Sequence, residues 1–251
     1  MHQWRCYYGK ADHQEWVNEI YQWRFCLSKL AGTRFLSHLD VLRGVERAFR
    51  RGGIRLARTK GFHHHSILSF GPALAVGVES CSEYFDADLD QSAEDFELVK
   101  TINHVLTPGL AILRARPLEK PQPSLAAMLN AASYRFWLDG SAEDLDVFTS
   151  LFEREELIVT RTGPNNSERR VDLKELIIAF DADRIADRQL GILSVTGNAG
   201  NLRPGDLLGF CAGVEFKRML RTGLYHHEGN VLREPMDGKE VNWQEANWSR
   251  A

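Results

Sequence analysis

The amino-acid sequence predicts an α+β protein with antiparallel sheets, and three observations carry that prediction. In residues 21–119, apolar or alternating runs that are typical of strands are interleaved with two runs of helical period. The stretch 117–124 then concentrates three of the eight prolines, which indicates a linker. Beyond it the pattern restarts, since residues 133–138 resemble residues 23–27 in position and character. We therefore expect two consecutive units of one type.

The order of elements in the first unit indicates its fold. Strand, helix, strand, strand, helix and strand follow one another, which is the split βαβ order of a ferredoxin-like domain. The predicted elements cover residues 21–30, 38–51, 67–78, 82–89, 93–106 and 110–116. The predicted division of the chain is a leader or docking segment over 1–20, a ferredoxin-like unit over 21–119, a second, divergent unit over 120–227 and an irregular polar tail over 228–251.

The first predicted helix has signals at both ends. Ser37 is a suitable N-cap, and Asp40 stands three residues later, as in a capping box. Gly52 and Gly53 follow the last helical residue, as at many helix C-termini. The core-facing stripe of this helix is expected to comprise Leu39, Leu42, Val45 and Phe49. The stripe of the second helix is expected to comprise Phe96, Val99, Ile102 and Val105.

Composition excludes several classes of protein. With 251 residues, 43% of them hydrophobic and 26% charged, the chain has enough apolar residues for a folded core. It has no run of about 18 apolar residues that would span a bilayer. It also lacks the apolar core of a signal peptide, so we expect a cytoplasmic protein without membrane contact. The four cysteines are far apart and lack the spacing of metal ligands, so we expect no metal and no cofactor.

Positive charge is concentrated in one stretch of the chain. Residues 34–60 contain eight basic residues against two acidic ones, a local balance of 8 − 2 = +6. Because the whole chain carries −3, the remainder sums to −3 − 6 = −9. A cationic segment in an otherwise acidic protein indicates an anion-binding surface, since local charge steers a charged ligand.

We expect this anion to be RNA, held by the basic helix and the loop after it. Guanidinium groups match phosphate oxygens, and aromatic rings stack on unpaired bases. The residues expected on phosphates are Arg43, Arg47, Arg50, Arg51, Arg58 and Lys60, and those expected on bases are Phe62, His65 and Phe70. Two structural alternatives remain open. Acids elsewhere in the chain can pair with these arginines, and arginines in the last helical turn can stabilise the negative end of the helix dipole.

The histidines allow a catalytic hypothesis. If the fold brings His38 and His65 together, they form an acid–base pair of the kind that cleaves RNA through its 2′-hydroxyl. The alternative, which we favour, is that His38 and Asp40 fix the backbone at the helix start. Three consecutive histidines, 63–65, cannot all face one ion in an extended chain, so no metal site is predicted there.

The most specific pattern lies between Arg34 and Asp86. It reads R-F-L-S-H-L-D-x-x-R-x-x-E-R-A-x-R-R, then G-F-x-x-H, then L-S-F-G-P-x-L-x-V-G-x-E-S-x-x-E-Y-x-D. This pattern resembles the radical-SAM-linked family of unknown function, whose members occur alone or joined behind a cobalamin-binding radical SAM protein. The loop departs from the usual G-F-N-P-H-P of that family, since only His65 matches its histidine.

The resemblance implies an accessory role close to radical SAM chemistry and RNA modification. The chain has no cysteine triad for an iron–sulfur cluster, so a radical SAM enzyme would be a separate partner. The preferred hypothesis is a non-catalytic RNA-binding accessory protein for tRNA or another structured RNA. The second is a metal-independent endoribonuclease similar to the CRISPR repeat-processing enzymes, although residues 197–200 are a poor substitute for their glycine-rich loop. The third is a protein–protein adaptor for a radical SAM enzyme, docked through the aromatic leader.

Overall fold

The computed structural model describes residues 19–59, 64–119, 122–139, 142–183, 189–211 and 214–249. Its strands are β1 (Tyr21–Lys29), β2 (Leu68–Phe70), β3 (Glu79–Leu89), β4 (Leu110–Pro117), β5 (Ala131–Asp139), β6 (Ile158–Thr162), β7 (Glu168–Asp172), β8 (Ile177–Asp183), β9 (Gln189–Val195), β10 (Glu215–Glu228) and β11 (Val231–Arg233). Its helices are α1 (His38–Arg51), α2 (Asp95–Val105), α3 (Leu125–Met128), α4 (Ala142–Ser150), α5 (Pro204–Leu208) and α6 (Trp243–Ser249). None of the helices in these ranges has the length and apolar character needed to cross a bilayer.

One large sheet dominates the fold. Within the described residues, nine strands join in the order β4-β1-β3-β10-β5-β9-β8, with β2 also paired to β3 and β11 to β10, while β6 and β7 form a separate hairpin. The pairs are antiparallel except β10 and β3, which run parallel where Leu220 meets Glu79 and Arg221 meets Ser80. This confirms the α+β class with antiparallel pairing. The two predicted sheets are, however, joined into one.

The two halves of the sheet have the same pattern of neighbours. The first half runs β4-β1-β3-β2, so the first and third strands of that half are central. The second half runs β10-β5-β9-β8, which is the same arrangement once the β6–β7 hairpin is treated as an insertion between α4 and β8. The short parallel contact between β3 and β10 connects the halves.

α1 begins and ends where the sequence predicts. Ser37 Oγ accepts a hydrogen bond from the Asp40 N–H at 3.2 Å, and the Asp40 carboxylate accepts one from the Ser37 N–H at 3.1 Å, which completes a capping box. At the other end, the Gly52 N–H donates to Ala48 O at 2.8 Å. Gly53 then takes a φ of +70°, which glycine adopts without a steric penalty.

The buried face of α1 differs from the predicted stripe. Val45 and Phe49 are fully buried as predicted, and Val41 and Ala48 are also buried, but Leu39 is 58% exposed. Successive residues of a helix turn by about 100°, so Leu39, two residues before Val41, points about 200° away from it. The prediction that Leu39 belongs to the core is therefore wrong.

The same offset corrects α2. Leu98 and Ile102 are buried, whereas Phe96, which the sequence predicts to be buried, is 70% exposed. Phe96 precedes Leu98 by two residues and so points away from the sheet. In both helices the apolar spacing fits more than one stripe, and contact with the sheet decides which stripe is buried.

The C-terminal segment, which the sequence predicts to be irregular, folds onto the sheet as β11 and α6. Met236 is buried in the core. Pro235 O accepts a hydrogen bond from Arg24 Nη1 at 2.9 Å, and the Glu234 carboxylate pairs with Arg114. Because Arg24 lies in β1 and Arg114 in β4, the residues after β11 contact the first half of the sheet, whereas β11 itself pairs with β10 and α6 packs against β5, β9 and β10 in the second half.

Candidate nucleic-acid interface

Three arginines lie on the side of α1 that faces away from the sheet. Arg43, Arg47 and Arg50 follow one another at spacings of four and three residues, so they share one side of the helix, and all three are exposed. Within the described residues, no carboxylate lies within 4.0 Å of their guanidinium groups. We call Arg43, Arg47 and Arg50 the arginine face. None of its three arginines forms an ion pair within the described chain, although the charges of Arg43 and Arg47 contribute to the lowered pKa of Asp40 in the first turn of α1.

Two further arginines of this region, Arg51 and Arg55, have partners in the fold. The Arg51 guanidinium donates to Val105 O, one of the carbonyls that the end of α2 leaves without a helical partner. Arg55 Nε donates to Asp90 Oδ1 at 2.9 Å. Arg51 therefore fastens α1 to α2, and its contact with phosphate stays a prediction.

A groove of about 570 Å³ runs along the C-terminal half of α1. Its lining includes Glu46, Arg50, Ile54, Leu56, Arg58 and Asp90. After α1 the chain returns along the end of β3, where Leu56 bridges to Leu89 and the Ala57 N–H donates to Asp88 O at 2.8 Å. This return leaves a gap between the helix and the extended segment. We call the gap the arginine groove.

The groove contains charges of both signs. Asp90 is paired with Arg55, and Glu46 has no cation within 4.0 Å among the described residues. Arg50 and Arg58 likewise have no carboxylate within that distance in the described ranges. Three arginines against two carboxylates leave a net charge of +1. Because Arg55 and Asp90 neutralise each other, the excess positive charge comes from Arg50 on α1 and Arg58 on the extended segment, against the single charge of Glu46.

The loop after the groove holds the predicted histidines. The backbone of Arg58 bridges to Ser66, and the His65 N–H donates to Thr59 Oγ1 at 3.1 Å. The His65 side chain is exposed and does not line the groove, whereas its neighbour Ser66 does. In the described part of the chain, no group of three or more His, Cys, Asp or Glu side chains is placed to hold a metal ion. Lys60, Phe62, His63 and most of the predicted leader (1–18) lie outside the described residues.

Phe70 packs within the core. Its ring stacks on Phe85 with centroids 4.9 Å apart, and it meets the His38 ring edge-on at 5.5 Å. Phe85 in turn stacks on Phe25 and contacts Phe49 of α1. Phe70 therefore extends the aromatic core under α1, and its stacking on an RNA base stays a prediction.

The structure does not bring His38 and His65 together. Phe70 contacts His38, whereas Ser66, four residues earlier in the chain, donates from its hydroxyl to Glu46 Oε1 at 2.7 Å. Glu46 lies eight residues after His38, which is about 12 Å further along the helix axis. His65 is next to Ser66 and thus lies at the distant end of this segment. The two histidines form no acid–base pair in this arrangement.

His38 belongs instead to a cluster between the two halves of the sheet, which sequence analysis missed. We call Lys29, His38, Glu83 and Arg221 the junction cluster. Arg221 of β10 is fully buried, and its Nε donates to Glu83 Oε1 of β3 at 2.8 Å, while its Nη2 contacts the other carboxylate oxygen. The Lys29 ammonium donates to Leu36 O at 2.8 Å. Glu83 and Arg221 are 138 residues apart, so their spacing could not have predicted the pair.

Burial affects the protonation of two members of this cluster. Burial lowers the pKa of Lys29 and that of His38, and the charges of Arg221 and Lys29 lower the pKa of His38 further, while Glu83 opposes the shift. Lys29, His38 and Glu83 line a cavity of about 10 Å³, which has room for one water molecule at most. The cluster therefore serves to join the two halves of the sheet.

Comparison with solved structures gives distant likenesses. The chain is similar to one in the crystal structure of a Cbf5-Nop10-Gar1 complex, with 14% identity and a TM-score of 0.40 over 86% of this chain and 53% of that chain. It is similar to one in the archaeal box H/ACA sRNP Nop10-Cbf5 complex, with 12% identity and a TM-score of 0.36 over 80% and 47%. A further likeness is to an unknown protein from Galdieria sulphuraria, with 10% identity and a TM-score of 0.27 over 81% and 99%. The chain spans about half the length of the first two chains.

Comparison with sequence families gives a direct assignment. None of the curated proteins matches the chain. The model of the family described as "Uncharacterized protein conserved in bacteria (DUF2344)" matches residues 22–204, which is 183 of the 251 residues. The matched range contains the arginine face, nearly all of the groove, and the junction residues Lys29, His38 and Glu83. The expectation of a family of unknown function is confirmed, whereas the link to radical SAM proteins stays a prediction. The protein belongs to the DUF2344 family.

Proposed function

We propose that this protein binds RNA through the arginine face and the arginine groove. The observation that carries the proposal is that Arg43, Arg47, Arg50 and Arg58 are exposed and have no carboxylate within 4.0 Å in the described residues. A guanidinium without a partner is available for paired hydrogen bonds to phosphate oxygens. These four side chains offer such groups from two neighbouring elements of the fold.

Charge distribution and length support a polymeric anion. Residues 34–60 carry +6 and the remainder −9, so a polyanion is steered to this region and repelled elsewhere. Arg43 and Arg50 are seven residues apart, which is about 10 Å along the helix axis. A row of this length extends beyond one phosphate group, and it suits a backbone that carries a phosphate at every nucleotide.

The proposal includes a finer description of the fold as two tandem ferredoxin-like units. The identical neighbour patterns β4-β1-β3-β2 and β10-β5-β9-β8 support it, since both are antiparallel with the first and third strands central. The proposed units are residues 21–119 and 120–227. β11 pairs with β10 and α6 packs against β5, β9 and β10, so both lie against the second of them.

The partners are proposed from the family resemblance. We propose that the RNA is a tRNA or another structured RNA, and that a separate radical SAM protein acts on it in the cytoplasm. The endoribonuclease alternative gains no support from the positions of His38 and His65. The adaptor alternative depends on the aromatic leader, which lies almost entirely outside the described residues, and it stays a prediction.

A salt titration with charge-matched variants tests the proposal. Labelled structured RNA is titrated with wild type, with Arg43→Gln/Arg47→Gln and with Arg169→Gln/Arg170→Gln, whose arginines are exposed on β7. The logarithm of the binding constant decreases as the logarithm of the salt concentration rises. The steepness of this decrease is expected to be smaller by about 0.7–0.9 for each phosphate that the variant no longer neutralises, so by about 1.5 for the α1 variant. The β7 variant is expected to keep the wild-type slope.

Two outcomes would overturn the proposal. One is that wild type shows no salt-dependent binding to any structured RNA. The other is that the two double variants lower the affinity and the slope equally, because that result would reflect net charge alone. Circular dichroism of each variant verifies that the fold is retained.

A further inference from the structure

We infer that the arginine groove holds a single unpaired nucleotide of a single-stranded RNA segment, with its phosphate between Arg50 and Arg58. This inference rests on the proposed function and adds to it the form of RNA that the groove selects. A volume of about 570 Å³ falls within the range of small-ligand sites, about 300–1,000 Å³. The groove is thus large enough for one nucleotide, whereas the arginine face is a convex surface.

The two unpaired arginines of the groove come from different elements. Arg50 extends from the last turns of α1, and Arg58 belongs to the extended segment, where its backbone is held by the bridge to Ser66. Neither has a carboxylate within 4.0 Å among the described residues. Guanidinium groups from two walls of one groove can bind different oxygens of the same phosphate, which a single helix face cannot arrange.

The inner surface of the groove is apolar. Ile54 is 7% exposed and Leu56 is half-buried, and both line the cavity. The backbone N–H groups of Ile54 and Ala57 are already used, by Phe49 O at 3.0 Å and Asp88 O at 2.8 Å. This surface therefore offers aliphatic contact rather than backbone donors, and such contact suits the flat face of a base.

The two carboxylates of the groove, Asp90 and Glu46, can select among bases by accepting hydrogen bonds from them. Asp90 accepts from Arg55 through Oδ1, and Glu46 accepts from the Ser66 hydroxyl through Oε1. Each carboxylate therefore retains an oxygen that can accept a hydrogen bond from an exocyclic amino group. Cytosine and adenine have such a group and uracil has none. We expect cytidine and adenosine to bind more tightly than uridine.

The inference is tested by comparing the binding of single-stranded RNA with the binding of double-stranded RNA. A base in a duplex is stacked and paired, so it cannot enter the groove, whereas an unpaired base can be turned out of the strand. Wild type is expected to bind an unstructured octamer about 10-fold more tightly than the corresponding duplex, because only an unpaired base can bury its apolar face against Ile54 and Leu56. Arg58→Gln is expected to weaken octamer binding about 10-fold, as when a hydrogen bond to a charged group is removed. Duplex binding by Arg58→Gln should stay within about twofold of wild type, because the duplex relies on the arginine face.

Arg43→Gln is the matched control. Arg43 belongs to the arginine face and does not line the groove, so this variant is expected to weaken octamer and duplex binding by the same factor. The inference is overturned if Arg58→Gln behaves in the same way as Arg43→Gln. If wild type binds octamer and duplex equally, the inference fails while the proposed function stands. If wild type binds neither, both fail.

Free nucleotides distinguish the source of the ligand. Cytidine 5′-monophosphate, uridine 5′-monophosphate and inorganic phosphate are used as competitors of the labelled octamer. Weak competition that decreases from the cytidine to the uridine nucleotide and depends on Arg58 supports the inference. If the cytidine nucleotide alone binds more tightly than the octamer, the site takes a free nucleotide, and the assignment to an RNA strand is overturned.

Discussion

The junction cluster and the arginine groove both depend on arginine, but in opposite surroundings. In the junction cluster, Arg221 has no exposed surface, and its Nε and Nη2 both donate to the Glu83 carboxylate. In the groove, Arg50 and Arg58 are exposed, and no carboxylate of the described chain lies within 4.0 Å. One arginine stabilises the fold, and the other two keep their hydrogen-bonding capacity for a ligand.

This difference follows from the cost of removing a charge from water. A buried guanidinium loses its hydration, at a cost of several kcal/mol, unless a carboxylate compensates for it in good geometry. Arg24 meets that requirement as Arg221 does, since it donates to both oxygens of Asp86 at 2.8 and 2.9 Å. An exposed arginine has no such requirement. The number of basic residues therefore indicates little about binding until the burial and partners of each one are known.

The largest effect is expected from breaking the buried pair. Glu83→Gln is expected to lower the free energy of unfolding by about 3–5 kcal/mol, because it leaves the Arg221 charge buried without a carboxylate. Urea denaturation followed by tryptophan fluorescence measures the change. Asp90→Asn is the control, since its partner Arg55 is 66% exposed, and we expect a loss below about 1 kcal/mol.

Replacing both members of the pair sharpens the comparison. Glu83→Leu combined with Arg221→Met removes both charges, so we expect it to be less destabilising than Glu83→Gln alone. If Glu83→Gln and Asp90→Asn cost the same, the distinction between the buried and exposed pairs is wrong.

A smaller effect is expected in the pH dependence of stability. Burial lowers the pKa of His38 below the ordinary value near 6.5, helped by Arg221 and Lys29 and opposed by Glu83. Protonation is thus less favourable in the folded state than in the unfolded state. This contribution to stability is fully present above pH 6.5 and is lost as the pH falls from about 6.5 through the lower, folded-state pKa.

His38→Gln is therefore expected to lose less stability than wild type between pH 7.5 and pH 5. Urea midpoints at the two pH values measure this difference. His104→Gln, at an exposed position on α2, is the control and should lose as much as wild type. An identical loss for His38→Gln and wild type would contradict the burial of His38 in the junction cluster.

The smallest effect concerns the residue next to His38. Leu39→Ser is expected to change the free energy of unfolding by no more than about 0.5 kcal/mol, because its side chain is 58% exposed. Val45→Ala, at a fully buried position on the same helix, is expected to cost more than about 1 kcal/mol because it leaves a cavity. Chemical denaturation of both proteins compares them. A cost for Leu39→Ser that equals the cost for Val45→Ala would restore the stripe that the sequence predicted.

Sequence reasoning succeeded where the governing interactions are local. Ser37 and Asp40 are three residues apart, and Gly53 directly follows the helix end, so the caps of α1 could be predicted from spacing. The grouping of Arg43, Arg47 and Arg50 on one side followed from helical period alone. Their exposure and lack of acidic partners did not, because these depend on which other segments pack nearby.

Sequence by itself determined the class of the fold, the position of α1 and the family to which the chain belongs. Only the tertiary structure decided which stripe of each helix is buried, where the C-terminal segment packs, and that His38 shares a small cavity with Lys29 and Glu83 instead of meeting His65. The physical reason is the range of the interactions. Caps and helical faces depend on residues a few positions apart. Burial and ion pairing depend on contacts between distant segments, such as Glu83 and Arg221, which are 138 residues apart, and these contacts turn one arginine into a structural residue while leaving others free for a ligand.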